Sequence, residues 1–324
     1  MKTRNILLLL IAVTLACAGY YFFLRDTVAA PASATGESRT TNPGTVAPVT
    51  SAAAVPVVGN GLDVGPSSPA GNLYLKTLID EYYGSKSYRS FFEKYVNLPS
   101  SSTARFLAEV AFQRCAFVGL LGPEKFLAAK RAKLNASSYS NIEKTQYETS
   151  LNALTSACAD FYGSMTQAQL TERQREFAQL NGDEASAEKL ANRIKDKGLT
   201  GFKEEVEPML ARGNPLLISM MGRVWEEAIR KDSGKFENSI FAGTSPEVAD
   251  AAWKLAACEY GNECGRKNEV VLDGCMNRVA CSADSLREYY QKYALSPDKF
   301  DQVMTTTGKI LDALKQKRLD LLYG

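Results

Sequence analysis

The chain has 324 residues, and its 45% hydrophobic content is enough for a sizeable core. Thirty-eight Lys and Arg against 36 Asp and Glu leave a net charge of +2, and the excess is spread out, so no nucleic-acid partner is expected. There is no histidine, which excludes Ser-His-Asp triads, Cys-His dyads and His-ligated zinc or haem.

Residues 1–25 predict a signal-anchor. Ile6 to Leu24 is an uncharged apolar run with Lys2 and Arg4 before it and Arg25 after it. At about 1.5 Å per residue it reaches roughly 28 Å as a helix, close to the thickness of a hydrocarbon core. A cleaved signal has a shorter apolar region and ends at a small-x-small site, whereas Tyr20, Tyr21, Phe22 and Phe23 carry this run to its charged flank. The positive-inside rule puts the N-terminus in the cytoplasm and the remainder outside. The expected location is a single-pass inner-membrane protein of a Gram-negative-type envelope, with its C-terminal body in the periplasm. Leu15-Ala16-Cys17 also resembles a lipobox, with Thr14 where that signal has Leu. This implies the alternative of a lipoprotein anchored at Cys17.

Residues 26–72 are dominated by Ala, Pro, Thr, Ser, Gly and Val, with no helical or alternating period. Such a stretch buries too little apolar surface to offset its ordering entropy and predicts a disordered tether. Its coil dimension is roughly 35–40 Å and its stretched reach over about 100 Å.

Residues 73–324 predict an all-α body of stacked helical hairpins, with a possible subdivision near 182 and 243. Helices are expected at 73–96 (broken near Gly84), 102–121, 123–134, 139–162, 166–180, 184–197, 199–212, 215–231, 246–260, 267–277, 283–293 and 297–321. Four of them follow Gly122-Pro123, Asn214-Pro215, Ser245-Pro246 and Ser296-Pro297, where proline suits the first helical position and Asn or Ser caps the free amides. Met209 to Ile229, with small and apolar residues at helical spacing around Gly213-Asn214-Pro215, loosely resembles helix-turn-helix repeats of the Sel1 kind. No second copy recurs at a fixed period.

Seven cysteines divide into Cys17, inside the apolar run, and six beyond it. An exported chain meets an oxidising compartment in which all six can pair. Cys115 continues the helical stripe Leu107, Ala111, Val118, and Cys158 the stripe Tyr147, Leu151, Leu154, Phe161, so each faces a core side. A Cys115–Cys158 bond closes a loop of about 43 residues, worth roughly 4 kcal/mol in the chain-entropy model. Cys258, Cys264, Cys275 and Cys281 form a second group with spacings x5, x10 and x5. Four cysteines allow three pairings; the local pair 258–264 and 275–281 is favoured over the nested one. Zinc knuckles use shorter spacings and redox sites use C-x-x-C, so the six are read as structural, and no metal, cofactor or catalytic residue is expected.

Ser186-Ala187-Glu188-Lys189 and Ser296-Pro297-Asp298-Lys299 match S-x-x-K, the nucleophile pattern of penicillin-binding proteins, but the partner signatures K-T-G and S-D-N are missing. Thr306-Thr307-Gly308-Lys309 resembles a phosphate loop without its upstream glycine, inside an expected helix. Glu204, Glu205, Glu207, Glu226 and Glu227 are the carboxylates available to a wall-cleaving glycosidase. Lys125, Lys130, Arg131 and Lys133 form a basic face on one short helix.

The expected function is non-enzymatic: an envelope-anchored adaptor, scaffold or assembly factor whose partners are other cell-envelope proteins. Anchor, Ala/Pro-rich tether and helical body together resemble the layout of membrane-anchored lipase foldases, which implies a steric chaperone of a secreted client as the alternative. The foldase motif R-x-x-F-D-Y has no counterpart here; the nearest stretch is Leu78-Ile79-Asp80-Glu81-Tyr82. A carboxylate-dependent cell-wall hydrolase is the third reading.

Overall fold

The computed structural model describes residues 69–323 except 136–138, 183, 186, 188, 191–202, 232 and 279. The expected anchor at 6–24 lies outside these residues, as does the tether up to 68. Among the described residues no helix is long and apolar enough to cross a membrane.

The described residues are helical. In chain order they form α1 (Pro69–Gly84), α2 (Tyr88–Tyr95), α3 (Thr103–Arg114), α4 (Ala116–Leu121), α5 (Pro123–Asn135), α6 (Asn141–Cys158), α7 (Gln167–Gln179), α8 (Pro215–Lys231), α9 (Pro246–Glu259), α10 (Glu269–Arg278), α11 (Leu286–Tyr289) and α12 (Pro297–Lys315). Residues 203–210 are helical as well. No strand occurs among the described residues; one isolated antiparallel bridge joins Gly265 and Ser285.

The departures from the sequence expectation have local causes. The first helix starts at Pro69 rather than 73, because proline fits a first turn whose N–H needs no acceptor. It ends at Gly84, and the chain re-enters α2 through Ser87, whose hydroxyl accepts from Ser90 N–H. The expected helix 102–121 is two helices, with Cys115 at the joint outside helical geometry (φ −89°, ψ 0°). The segment expected at 283–293 is a short α11 followed by a π-helical turn, Tyr290–Ala294. The last helix stops at Lys315, because Lys317 takes a positive φ of 54°, and a 3-10 turn follows at Leu319–Leu322.

Capping is realised most fully at α6 and α7. Ser140 with Glu143, and Thr166 with Gln169, form reciprocal capping boxes that satisfy two otherwise orphaned backbone donors at each start. Ser245 and Ser296 occupy N-cap positions without making a side-chain cap bond; there, proline at the first helical position sets the start.

Two hydrophobic cores form. The first gathers Tyr82, Phe91, Leu107, Ala111, Cys115, Leu151, Cys158 and Phe161, and receives Leu216, Cys275 and Cys281 from later in the chain. The second centres on Trp225 and Trp253, with Phe241 stacked on Trp225 at a centroid distance of 4.5 Å. α8 and α9 meet at Gly222, where a Cβ would sit 2.7 Å from the Asp250 carbonyl oxygen. The alanines of α9 at 249, 251, 252, 256 and 257 are buried in the same layer.

Cys115 is bonded to Cys158, Cys258 to Cys264 and Cys275 to Cys281, with Cα–Cα separations of 5.2, 5.7 and 4.2 Å. The long bond ties α3 and α4 to the end of α6. The short ones close the corner after α9 and the corner after α10.

Candidate functional site: a braced apolar tip

Beyond the joint at Cys115, Val118 continues the Leu107–Ala111 stripe. Val118 and Gly119 of α4 face inward, while Phe117, Leu120 and Leu121 stand 57%, 36% and 47% exposed. Tyr162, 62% exposed, adjoins them: a Cβ on Gly122 would fall 2.6 Å from its ring. Four large apolar side chains therefore crowd one end of the first core.

Three devices hold this tip. The disulfide pins Cys115, the residue before α4, to the end of α6. Gly119 lies flush on Met165, with a Cβ there only 2.8 Å from the sulfur. Gly122 ends α4 at φ 83°, a conformation that glycine adopts without penalty. Exposed apolar patches on a folded domain usually mark contact surfaces, and rigid aromatic or aliphatic anchors lose little entropy when a partner covers them.

Phe117 also borders a cleft of about 480 Å³, whose apolar wall includes Val110, Phe126, Leu154 and Met276. Its polar wall includes Arg114 of α3 and Glu269 of α10, backed by Tyr82 of α1. Tyr82 donates to Glu269 Oε1 at 2.7 Å, and Arg114 Nη1 donates to the same oxygen at 3.1 Å. The Arg114 guanidinium also lies 5.3 Å from the Tyr88 ring centroid. Burial, then the negative charge of Glu269, hold the Tyr82 hydroxyl well above its usual range. Asp273, at the rim, is raised by burial first and Glu269 second, against Arg114 and Lys130. Arg114 and Glu269 thus satisfy each other, and the cleft offers an apolar wall with a self-neutralised polar edge.

A second cavity, of about 760 Å³, opens between α8, α9, α10 and the π turn. Glu226, Glu247, Asp250, Asp273, Lys254 and Lys299 line it, with Tyr289, Tyr290 and Ser296. Lys254 pairs with Asp250 at 2.6 Å, and Lys299 with Glu247. Burial and the nearby Asp250 raise the Tyr290 hydroxyl far above its ordinary range. Asp250 Oδ1 is buried without a hydrogen-bond partner.

The residues singled out in the sequence scatter. Glu226 and Glu227 both pair with Arg230. Trp225, beside these two glutamates, is fully buried among Phe236, Phe241, Trp253 and Tyr323. Glu204 is exposed, and Glu207 lies 3.9 Å from Lys203. Ser296 and Lys299 share the 760 Å³ cavity, but the lysine is engaged by Glu247. Ser186 lies outside the described residues; Lys189 donates to the Leu180 carbonyl at 2.6 Å. Thr306 and Thr307 are buried within α12, where helical backbone leaves no loop to cradle a phosphate. Arg131 of the basic face is held by Glu148. Among the described residues no group of three or more Cys, Asp or Glu is placed to hold a metal ion.

Sequence reading missed the tip. Its signal was present in Ala116-Phe117-Val118-Gly119-Leu120-Leu121, an apolar hexamer in which only Val118 fits the core stripe. Comparison of the chain with protein-family models, with curated proteins and with solved structures finds no match.

Proposed function

We propose that this chain is a protein-interaction module of the cell envelope: a non-enzymatic adaptor, scaffold or assembly factor, tethered to the inner membrane through residues 6–24 and working in the periplasm. The observation that carries this reading is the tip, where Phe117, Leu120 and Leu121 are exposed on a short helix fixed by a disulfide, with Tyr162 exposed beside its end. Pre-organised apolar anchors favour binding because little freedom is left to lose. A tether of the expected length raises the effective concentration of the body for partners anchored in the same membrane. Disulfide bracing accords with an oxidising compartment, and helices paired in succession into hairpins would give the extended contact face of such modules.

The test is in-cell crosslinking of the tagged full-length protein, followed by purification from membranes and mass spectrometry. One envelope protein recovered in near-equal amount, and lost in Phe117→Asp/Leu121→Asp, is the expected result. Recovery of no partner, or of the same partner with the tip variant, overturns the reading.

A further inference from the structure

α7 differs from the helices around it in how it is fastened. None of its residues is buried, although the residues just outside it, Met165 and Leu180, both are. Leu180 is further secured by its neighbours: Asn181 N–H donates to the Ser100 carbonyl at 3.0 Å, and Gly182 lies too close to the Ser101 carbonyl to admit a Cβ. The ends of the segment are plugged into the first core, whereas of the thirteen residues of α7 Leu170 and Phe177 pack against that core and are only half-buried.

Half-buried Leu170, Arg173, Glu176 and Phe177 form the one face that α7 turns to the body. Arg173 Nη1 contacts Glu176 at 2.8 Å and Glu109 of α3 at 3.3 Å, while Arg105 of α3 reaches Glu176 at 3.5 Å. The Arg173 guanidinium lies 5.5 Å from the Phe92 centroid, and Phe177 packs on Phe106 at 5.5 Å. The network is under-satisfied: Glu109 Oε2 and Arg105 Nε are buried without partners. Beneath it runs an aromatic floor in which Phe112 adjoins Phe92 at 5.3 Å and Phe161 at 5.4 Å. A cleft of about 550 Å³ already opens along this floor between α2 and α7.

We propose that α7 is a displaceable strap, secured at Met165 and Leu180 and held down between them by the Arg173–Glu109 and Arg105–Glu176 ion pairs, whose release uncovers Phe106 and the aromatic floor at Phe92. Incompletely paired buried charges hold less firmly than apolar packing of the same extent, and segments with few buried apolar contacts open ahead of the rest of a fold. A helix of this length, once lifted, is too short to persist alone in water. The strap therefore melts as it opens. It stands independently of any partner at the tip.

Hydrogen–deuterium exchange on the full-length protein tests the strap. Amides of 167–179 are expected to exchange about tenfold faster in about 1 M salt than in about 0.05 M, because added salt screens ion pairs, while α3 and α6 hold their rates. The variant Arg105→Gln/Glu176→Gln removes the Arg105–Glu176 pair while Arg173 keeps Glu109, and is expected to give the same local acceleration at low salt. Exchange of 167–179 in step with α3 and α6 under every condition overturns the proposal. So does a folded double variant whose 167–179 amides exchange at the wild-type rate. If the double variant does not fold, the salt series on the wild-type chain decides.

Discussion

The buried carboxylate of Glu184 accepts a hydrogen bond of 2.6 Å from Nδ2 of Asn214, the residue that caps α8. The same oxygen accepts from Thr103 Oγ1, at the start of α3, at 2.8 Å. Asn214 Oδ1 in turn accepts from the backbone N–H groups of Leu216 and Leu217. One negative group thus sits at the N-termini of two helices belonging to different cores, where helix dipoles favour it. Asn214→Ala removes the cap and strips a donor from a buried carboxylate, and is expected to cost about 2–4 kcal/mol. Asn214→Asp keeps the cap oxygen but opposes Glu184, and should be no better. Urea unfolding of the two variants checks both statements.

The three disulfides should differ in weight. The Cys115–Cys158 bond spans 43 residues and the other two span 6 each. Loop-closure entropy gives about 4 kcal/mol for the long loop and about 2 kcal/mol for each short one. Paired-alanine variants, compared by denaturant midpoint, should rank in that order. Loss of the long bond should also loosen α4, read as faster amide exchange at 116–121.

Two glycines are expected to respond oppositely to alanine. At Gly222 the new Cβ meets the backbone of Asp250, which must shift, for an expected loss of about 1–3 kcal/mol. Gly308 lies inside α12 with nothing within 4 Å of a Cβ. Gly308→Ala is expected to gain about 0.5–1 kcal/mol from helix propensity and a less free unfolded chain. Thermal melts of the two single variants give the comparison directly.

Glu109 sets a pH dependence of defined sign. Burial raises its carboxyl above the ordinary value, outweighing Arg173. A carboxyl raised in the folded state binds its proton more tightly there than in the unfolded chain, so this group adds stability as pH falls through its folded pKa. The gain is complete below the unfolded value of about 4.3. Glu109→Gln removes that increment and should leave the protein as stable as wild type or more so at neutral pH. Denaturant midpoints for both proteins, taken from neutral pH to just below the ordinary glutamate range, should converge at the acid end; divergence there would falsify the assignment.

The tip variant Phe117→Asp/Leu121→Asp changes exposed side chains, and its unfolding midpoint should stay within about 0.5 kcal/mol of wild type for each exposed site. Recovery of the crosslinked partner should drop at least about tenfold if these anchors act as binding hot spots. Unchanged stability together with lost recovery separates a contact surface from a folding defect.

Local chemistry made much of the helical pattern legible. Helical spacing at Leu107, Ala111 and Cys115, and at Tyr147, Leu151 and Cys158, placed two cysteines on core faces before any coordinates. Asn214-Pro215 and Ser296-Pro297 marked helix starts because proline and a short polar cap act within one turn. These signals need no knowledge of distant residues. The short cysteine pairs were narrowed to a preference by the same logic, since loops of six residues can close locally.

Other features depended on what lay across the fold. The break at Cys115 has no proline or glycine to announce it; the chain turns there while the cysteine is bonded to the end of α6. Helical spacing leaves Phe117, Leu120 and Leu121 off the core stripe, but whether another element covers them is not written in the period. Nothing in the chain next to Glu109 or Glu184 marks them out, yet packing buries both, and Arg173 and Asn214 arrive from other segments to meet them. The sequence by itself determined the helical class, the helix starts marked by proline and the inward faces around Cys115 and Cys158, all set by interactions within a few residues. Only the tertiary structure decided which faces were left uncovered and which charges were paired, because burial is a property of neighbours that the local chain does not encode.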